Sequence, residues 1–327
     1  MKMYDDKLLS PVDSFSNIIY NMFLSCKTWL SVLIIHYAVA KIEELSRNTK
    51  IINELQQKIG VRKRKKNNMV HNWCIYLTTS YIFLLLVDIL NIFNFWTFHP
   101  DYYMFYYMII YITVNYLHYI IDIQVQQFLV TIRCVVFCDF MDLKEYLRYK
   151  IYSFGNMKII LTLLSNLHVI TDKFMIFNSI FLARYMLASI SITVCLFLNM
   201  TLFSSDLDLR THIVLWIALT VWVVKELSMV IYVVYLDVNI DCQSKLAVEN
   251  IYDIQSRIGR KNLPYKSMEL FLLKSKLNEL KFSVCGFFPL DWSLIYSMVA
   301  GITTYLVYLI QFREMEQSRT AATTGAP

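Results

Sequence analysis

The stretch Cys285–Phe312, CGFFPLDWSLIYSMVAGITTYLVYLIQF, decides how the rest of the chain is interpreted. It contains no charged side chain from Trp292 to Phe312. About 20 apolar residues are enough to cross roughly 30 Å of hydrocarbon as a helix. The stretch therefore predicts a membrane-spanning helix, and it is the last such stretch in the chain.

A stripe of small and polar residues runs along one face of this predicted helix. Its members recur at spacings of three and four residues, which places them on one side of a helix. Such a stripe can pack closely against another helix, or it can line a water-filled pore. The pattern alone favours close packing, with a glycine letting two backbones approach. The members are Ser297, Gly301, Thr304, Tyr308 and Gln311.

The composition indicates a membrane protein with several spans. The 327 residues are 57% hydrophobic and 15% aromatic, with a mean hydropathy of +0.45. A soluble domain of this length carries more charge and much more glycine and proline. Only six glycines and five prolines interrupt the chain, which predicts long helices joined by helical or short connections. The predicted fold class is an all-α membrane protein, a polytopic bundle of six to seven spans with cytoplasmic helical extensions.

Charge distribution predicts the orientation of the six spans. The segments 41–66, 123–173 and 239–284 hold nine, six and eight Lys/Arg residues. The N-terminal tail, 99–102, 204–211 and the C-terminal tail hold only five together. The positive-inside rule therefore places the three linkers in the cytoplasm and the C-terminus outside. The predicted spans are 17–40, 73–98, 103–122, 174–203, 212–238 and 289–312.

Two of these linkers also have the pattern of amphipathic helices. Residues 42–59 and 267–282 combine helical apolar spacing with charges on the opposite face. Helices of this kind dock on one another, so a small helical cytoplasmic domain is expected.

The end of the chain resembles the insect gustatory receptors. Thr304-Tyr305, five residues and then Gln311-Phe312 match the TY-x5-QF signature that closes that family. The resemblance covers most of the chain and is strong only after about residue 245. It implies seven spans and an extracellular C-terminus, with 17–40 corresponding to the family's second span. The approach to the last span is also similar, through Gly286-Phe287-Phe288, Leu290-Asp291 and Ser293-Leu294.

This resemblance implies a taste receptor subunit in the plasma membrane of a sensory neuron. It implies a ligand-gated, non-selective cation channel that is opened by a small-molecule tastant. The subunits are expected to form a homotetramer, or a heteromer with related receptors, with the last span of each around a central pore. The sugar-responsive branch typically carries Glu after the Thr-Tyr pair, whereas this chain has Leu306, which favours a bitter or orphan ligand. The implied pore and gate residues are Ser297, Gly301, Thr304, Tyr308, Gln311 and Phe312, and the family-motif residues are Gly286, Asp291, Thr304, Tyr305, Gln311 and Phe312.

The spans and linkers set the boundaries of the expected domains, and the resemblance implies their roles. Residues 1–16 form an N-terminal tail, and 17–245 form a ligand-binding bundle with cytoplasmic linkers at 41–72 and 123–173. Residues 246–284 are the expected anchor helices, 285–312 the pore-lining span and 313–327 the extracellular C-terminal tail.

Ionisable residues inside predicted spans are candidates for a ligand site, because each is costly in hydrocarbon unless it is paired or hydrated. They are either buried ion pairs that fix helix register, or polar anchors of an aromatic-lined cavity. For any single residue the ion-pair interpretation is favoured. The ligand-binding candidates are Asp88, Tyr107, Tyr111, His118, Arg184, Trp222, Lys225 and Glu226.

Other classes of function find little support. The six histidines are isolated and no catalytic or metal-binding motif occurs, so neither an enzyme nor a cofactor is predicted. The basic run 62–66 is interpreted as a topology signal beside anionic lipid, not as a nucleic-acid site. A metabotropic receptor, a transporter and a truncated or accessory receptor subunit remain as alternatives. The near absence of Gly and Pro from the spans counts against a transporter.

Overall fold

A computed structural model of the chain describes residues 11–61, 67–98, 102–149, 154–202, 209–258, 264–277, 282–284 and 288–324, with a subset of their side chains. Seven helices and one short hairpin occupy these ranges. The predicted all-α fold class is confirmed. The helices are α1 (Pro11–Ile59), α2 (Asn67–Phe98), α3 (Tyr102–Tyr149), α4 (Phe154–Leu202), α5 (Leu209–Ile258), α6 (Tyr265–Leu277) and α7 (Trp292–Thr324), and the strands are β1 (Ser283–Val284) and β2 (Phe288–Pro289).

Four of the helices are too long to be membrane spans alone. Helices α1, α3, α4 and α5 contain 49, 48, 49 and 50 residues. At about 1.5 Å per residue each is roughly 75 Å long, more than twice the thickness of the hydrocarbon core. In these four helices the predicted span is therefore one part of a helix that continues into the neighbouring linker. The predicted linker helix 42–59 is the second part of α1, and the one predicted at 267–282 is α6, which ends at Leu277.

A glycine ends α1 in a defined way. Gly60 has a φ of 67°, in the left-handed region that glycine adopts without strain. Its N–H donates to the carbonyl of Gln57 at 3.1 Å, and the Val61 N–H donates to that of Gln56 at 3.0 Å. These two bonds satisfy carbonyls that the last turn of the helix leaves open. The basic run 62–66 that follows lies outside the described residues.

Exposed apolar side chains of the described residues concentrate on the predicted spans. On α1 five of the six lie between Met22 and Val39, the sixth being Ile51, and exposed Lys41, Glu43 and Arg47 follow directly after Val39. This change on the helix surface falls at the predicted boundary between residues 40 and 41. Just beyond it, Glu44 pairs with Lys173 of α4 and with Lys41. Hydrogen bonds to these ammonium groups, Lys173 first, hold the pKa of Glu44 below its ordinary value.

Most of the largest apolar core lies beyond that boundary, outside the predicted spans. We call the residues 41–61, 123–149, 154–173, 239–258 and 264–277 the linker bundle. Most of the buried residues of the large core lie in the linker bundle, and the remainder include Val230 and Val233 of α5 and the first turns of α7. The linker bundle is therefore a packed helical assembly, not a set of loops.

Packing of α3 against α5 follows a seven-residue repeat. Buried positions alternate at spacings of four and three in both helices. A sustained repeat of this kind is typical of helices that pack at about 20° with knobs-into-holes contacts. Other buried positions lie beside this repeat in both helices, and the repeat itself comprises 122, 126, 129, 133, 136, 140, 143 and 147 in α3, and 226, 230, 233, 237, 240, 244, 247, 251 and 254 in α5.

Two helical segments of the described residues are long and apolar enough to cross a membrane, judged by length and composition alone. Trp292–Glu316 overlaps most of the predicted last span, 289–312. Only 17% of its apolar stretch is buried inside the chain. Tyr119–Arg148 is 44% buried and runs through the core of the linker bundle. The second segment begins where the predicted span 103–122 ends, and its apolar character is that of a helix at the centre of a packed bundle.

A short hairpin and an N-cap fix the start of α7. Strands β1 and β2 pair antiparallel, with Val284 opposite Phe288, and the Leu290 N–H donates to the Phe282 carbonyl at 2.7 Å. The Asp291 carboxylate then accepts a hydrogen bond from the Ser293 backbone N–H at 2.9 Å. This is the geometry of an N-cap, which satisfies an open donor of the first turn. The helix continues to Thr324, so residues 313–324 of the predicted tail are helical.

Replacing Asp291 with Ala should destabilise the first turn of α7. We expect a loss of about 1 kcal/mol, because the cap acceptor disappears. Asp291→Asn keeps a cap oxygen and serves as the matched control. Thermal unfolding of the purified protein measures the difference. Equal unfolding temperatures for the Ala and Asn variants would contradict the cap assignment.

Candidate pore helix and buried polar network

The polar stripe of α7 is accessible in the single chain. Ser297, Thr304, Tyr308 and Gln311 are exposed, and Gly301 is half-buried. The Ser297 hydroxyl donates to the Ser293 carbonyl at 2.9 Å, and the Thr304 hydroxyl donates to the Ala300 carbonyl at 2.8 Å. Hydroxyls that bond back to their own helix carry little desolvation cost on a buried or lipid-facing surface.

Gly301 does not serve close packing between the helices that the structure describes. A Cβ atom built on Gly301 meets no atom within 4 Å. The packing explanation of the stripe would require a neighbouring backbone at that distance. Among the described residues, none provides a close-packed partner at this position. The gate candidate Phe312 and the motif residue Tyr305 are also exposed, at 57% and 65%.

A buried polar network joins α2, α3 and α5 at the level of the predicted spans. Lys225 of α5 lies 3.0 Å from the Glu226 carboxylate, 3.7 Å from that of Asp122 and 3.1 Å from the Tyr81 hydroxyl. The Tyr81 hydroxyl in turn donates to Asp122. The Lys225 ammonium lies 4.2 Å from the centre of the Tyr81 ring. None of these four side chains is more than 2% exposed.

Geometry favours the ion-pair interpretation of Lys225 and Glu226. An ammonium group has three N–H donors, and three oxygen atoms of the network surround this one. Gln126 adds a further bond to the Asp122 carboxylate at 3.2 Å. A ligand that used Lys225 as an anchor would have to displace one of these contacts. The assignment of both residues to a ligand site remains a prediction.

A second ion pair lies about three turns further along the same two helices. The Arg133 guanidinium donates to both oxygens of Asp237, at 2.8 and 3.3 Å, and both side chains are fully buried. It also donates to the Leu129 carbonyl at 3.3 Å. Planar guanidinium groups suit such two-pronged bonds to carboxylates.

Sequence reasoning did not single out Tyr81, Asp122, Gln126, Arg133 or Asp237. Asp122, Gln126, Arg133 and Asp237 fall on the buried stripes of α3 and α5, which is the signal that identifies them. A charged residue at a core position of a seven-residue repeat needs a partner on the facing helix.

Only some of the predicted ligand candidates have described side chains. Trp222 is 8% exposed and packs in a small apolar cluster with Leu84, Ile192 and Val223. Tyr76 of α2 hydrogen-bonds to Ser228 of α5 at 2.9 Å. Gly286 lies outside the described residues, and so do the side chains of Asp88, Tyr107, Tyr111, His118 and Arg184.

Comparison with known proteins identifies the family. The sequence profile of the 7tm chemosensory receptors matches residues 6–316, nearly the whole chain. The chain belongs to this family. Its members are multi-pass membrane receptors and not enzymes, as the sequence predicted. The resemblance to insect receptors that the last span indicated is confirmed.

Curated relatives from Drosophila melanogaster match over short regions. The chain is 39% identical over 67 residues to gustatory and pheromone receptor 32a and 37% identical over 73 residues to gustatory receptor 68a. It is 45% identical over 51 residues to the gustatory receptor for bitter taste 66a. These alignments span 20%, 22% and 16% of the chain, and 14%, 19% and 10% of the relatives' own lengths.

A solved structure shares the fold of the receptor. The insect olfactory receptor OR5 from Machilis hrabei, in complex with eugenol, superimposes with a TM-score of 0.67. The match covers 93% of this chain and 83% of that one at 11% sequence identity. The arrangement of the helices is therefore shared, while nearly all side chains differ.

Removing the charge of Lys225 should destabilise the receptor strongly. Lys225→Met leaves the carboxylates of Asp122 and Glu226 buried without their cation, at a cost of about 3–5 kcal/mol. Adding Asp122→Asn and Glu226→Gln to Lys225→Met removes these charges and should restore most of the loss. The variants are heated to a series of temperatures, and size-exclusion chromatography then measures how much folded protein remains at each. A stable Lys225→Met protein would contradict the paired network.

Proposed function

We propose that the chain is a gustatory receptor subunit that works as a ligand-gated, non-selective cation channel. The observation that carries the proposal is the polar stripe of α7, four of whose five members are exposed in the part of the chain that the structure describes. The stripe lies on a helix that is long and apolar enough to span the membrane. The Gln311 amide on this stripe is costly in hydrocarbon, which favours protein or water over lipid around this face.

A ring of subunits surrounds the polar stripe of α7 with protein and water. Four copies of α7 around a common axis enclose the stripe, so that Ser297, Gly301, Thr304 and Tyr308 face the conduction path. Gln311 and Phe312 then form the constriction near its outer end. Orientation follows from the positive-inside rule, with the linker bundle in the cytoplasm and the C-terminus outside. A homotetramer is the simplest such assembly, and a heteromer with related receptors meets the same requirement.

The ligand is proposed to be a small-molecule tastant. Similarity to a Drosophila gustatory receptor for bitter taste supports a bitter compound. Leu306 in place of the Glu typical of the sugar-responsive branch also counts against a sugar. We place the ligand among the outer halves of α2–α5, where the candidates Asp88, Tyr107, Tyr111, His118 and Arg184 lie along the helices. Binding opens the gate only to the extent that the ligand prefers the open state.

An accessory subunit is the second candidate. The alignments with the curated relatives cover less than a fifth of each relative's length, so this chain's activity is not carried over from theirs. An accessory subunit would assemble with other receptors without forming currents on its own. A metabotropic receptor fits less well, because the proposed orientation puts the C-terminus outside.

Gate variants test the proposal. Gln311→Ala and Phe312→Ala should alter basal current or gating, because both side chains narrow the proposed pore. Leu309→Ala changes an apolar, half-buried position of the same helix and should act mainly through expression. Currents are recorded from cells that express each variant, before and during application of bitter alkaloids and sucrose. Identical currents from wild type and both gate variants would contradict the pore assignment.

A further inference from the structure

Helix α7 is held within the chain at two separate levels. Its first turns belong to the large core, through buried Leu294 and Met298 and partly buried Ile295. One turn further, Ile302 leaves that core and packs against the small apolar cluster around Trp222. Ile295 and Ile302 are seven residues apart and therefore lie on nearly the same face of the helix.

The small cluster joins three helices to the pore helix. Its buried members come from α2 (Leu84), α4 (Ile192) and α5 (Trp222 and Val223). Ile302 is the residue of α7 that packs against it. The cluster is therefore a described point at which the proposed ligand bundle touches the proposed pore helix above its base.

The cluster is continuous with the buried polar network. Tyr119 packs against the cluster, and its ring lies 5.5 Å from the ring of Tyr81 in a tilted arrangement. Trp222 and Lys225 are three residues apart on α5, close to one helical turn. A change in the spacing of α2, α3 and α5 therefore reaches Ile302 through side chains in direct contact.

Beyond Ile302 the described side chains of α7 are less enclosed than those at its base. From Thr303 to Glu316 every side chain is exposed or half-buried, and none is buried. Gly301 places no side chain next to Ile302. A Cβ atom built on Gly301 would meet no atom within 4 Å. Ile302 therefore tethers the part of α7 that carries the gate candidates, residues 303–316, to the Trp222 cluster at its lower end.

We propose that Ile302 is the positioning residue that couples the Trp222 cluster to the gate, and that Trp222 acts within this cluster instead of touching the ligand. This inference rests on the proposed channel function. Packed apolar contacts suit such a role, because close-packed side chains shift between discrete arrangements and do not deform continuously. Rearrangement of the cluster would then tilt the helix above Gly301 and move Gln311 and Phe312.

Hydrogen exchange of the purified, ligand-free receptor tests the tether without any current. Ile302→Ala should speed backbone exchange in 303–316 by roughly fivefold or more, while leaving 292–298 unchanged. Ile295→Ala is the matched control, since it shortens the same residue type one heptad earlier and should speed exchange at the base of the helix. Ile302→Val retains most of the contact and should resemble wild type. Equal exchange of 303–316 in wild type and Ile302→Ala would overturn the proposal.

Electrophysiology separates coupling from a direct role in the pore. Ile302→Ala should change the basal open probability and leave the unitary conductance unaltered. In a double-mutant cycle, Trp222→Leu and Ile302→Ala should not be additive, because both act on one cluster. Additive effects, or an altered conductance, would contradict the coupling role.

The two proposals can fail separately. If Gln311→Ala and Phe312→Ala leave the currents unchanged, the channel assignment fails, whatever the exchange data show. If those variants act as expected but exchange of 303–316 does not respond to Ile302→Ala, only the coupling role is lost.

Discussion

Packing of α3 against α5 is the interaction on which the rest of the receptor depends. Both helices carry the seven-residue repeat of buried positions, and polar pairs along the seam set their register. Residues 104, 98 and 99 positions apart in sequence meet at Arg133–Asp237, Cys134–Tyr232 and Lys144–Gln243. A nearly constant separation means that the two helices run parallel. A shift of one turn would leave the charge of Arg133 or Asp237 buried without its partner, at several kcal/mol.

The packing of α3 against α5 also positions neighbouring helices that the proposed function uses. At the level of the predicted spans it recruits α2 through Tyr81, and Lys225 holds the three helices together. In the linker bundle Asp139 of α3 accepts a hydrogen bond from Gln56 of α1 at 3.1 Å, with both side chains buried. On α4, His168 contacts Ser244 of α5 at 3.3 Å. The linker bundle is thus a packed unit, and the first turns of α7 pack against it.

Much of the architecture could be predicted from the sequence, because it depends on local pattern. The last span shows its apolar length and polar stripe directly, and the boundary near residue 40 is visible where apolar residues give way to Lys41 and Glu43. The scarcity of glycine and proline correctly predicted long helices. The helical character of 313–324 was missed, since a charged sequence after a span fits a tail equally well.

Contacts between distant residues could not be predicted in the same way. Arg133 contributed to the positive charge that orients linker 123–173, yet it is fully buried against Asp237. A count of charges does not distinguish an arginine beside lipid headgroups from one paired inside a bundle. Lys225 and Glu226 were identified as unusual, but their partners Asp122 and Tyr81 come from other helices. Pairing of this kind depends on the register between helices. The pattern of a single sequence does not show which residues of two distant helices lie side by side.

The central claim is that α7 completes its polar face with copies of itself. The most direct test is the mass of the full-length protein in detergent, by size-exclusion chromatography with light scattering, since it needs no ligand. A stable tetramer is the predicted result. A monodisperse monomer, with the stripe of α7 left uncovered, would contradict the central pore.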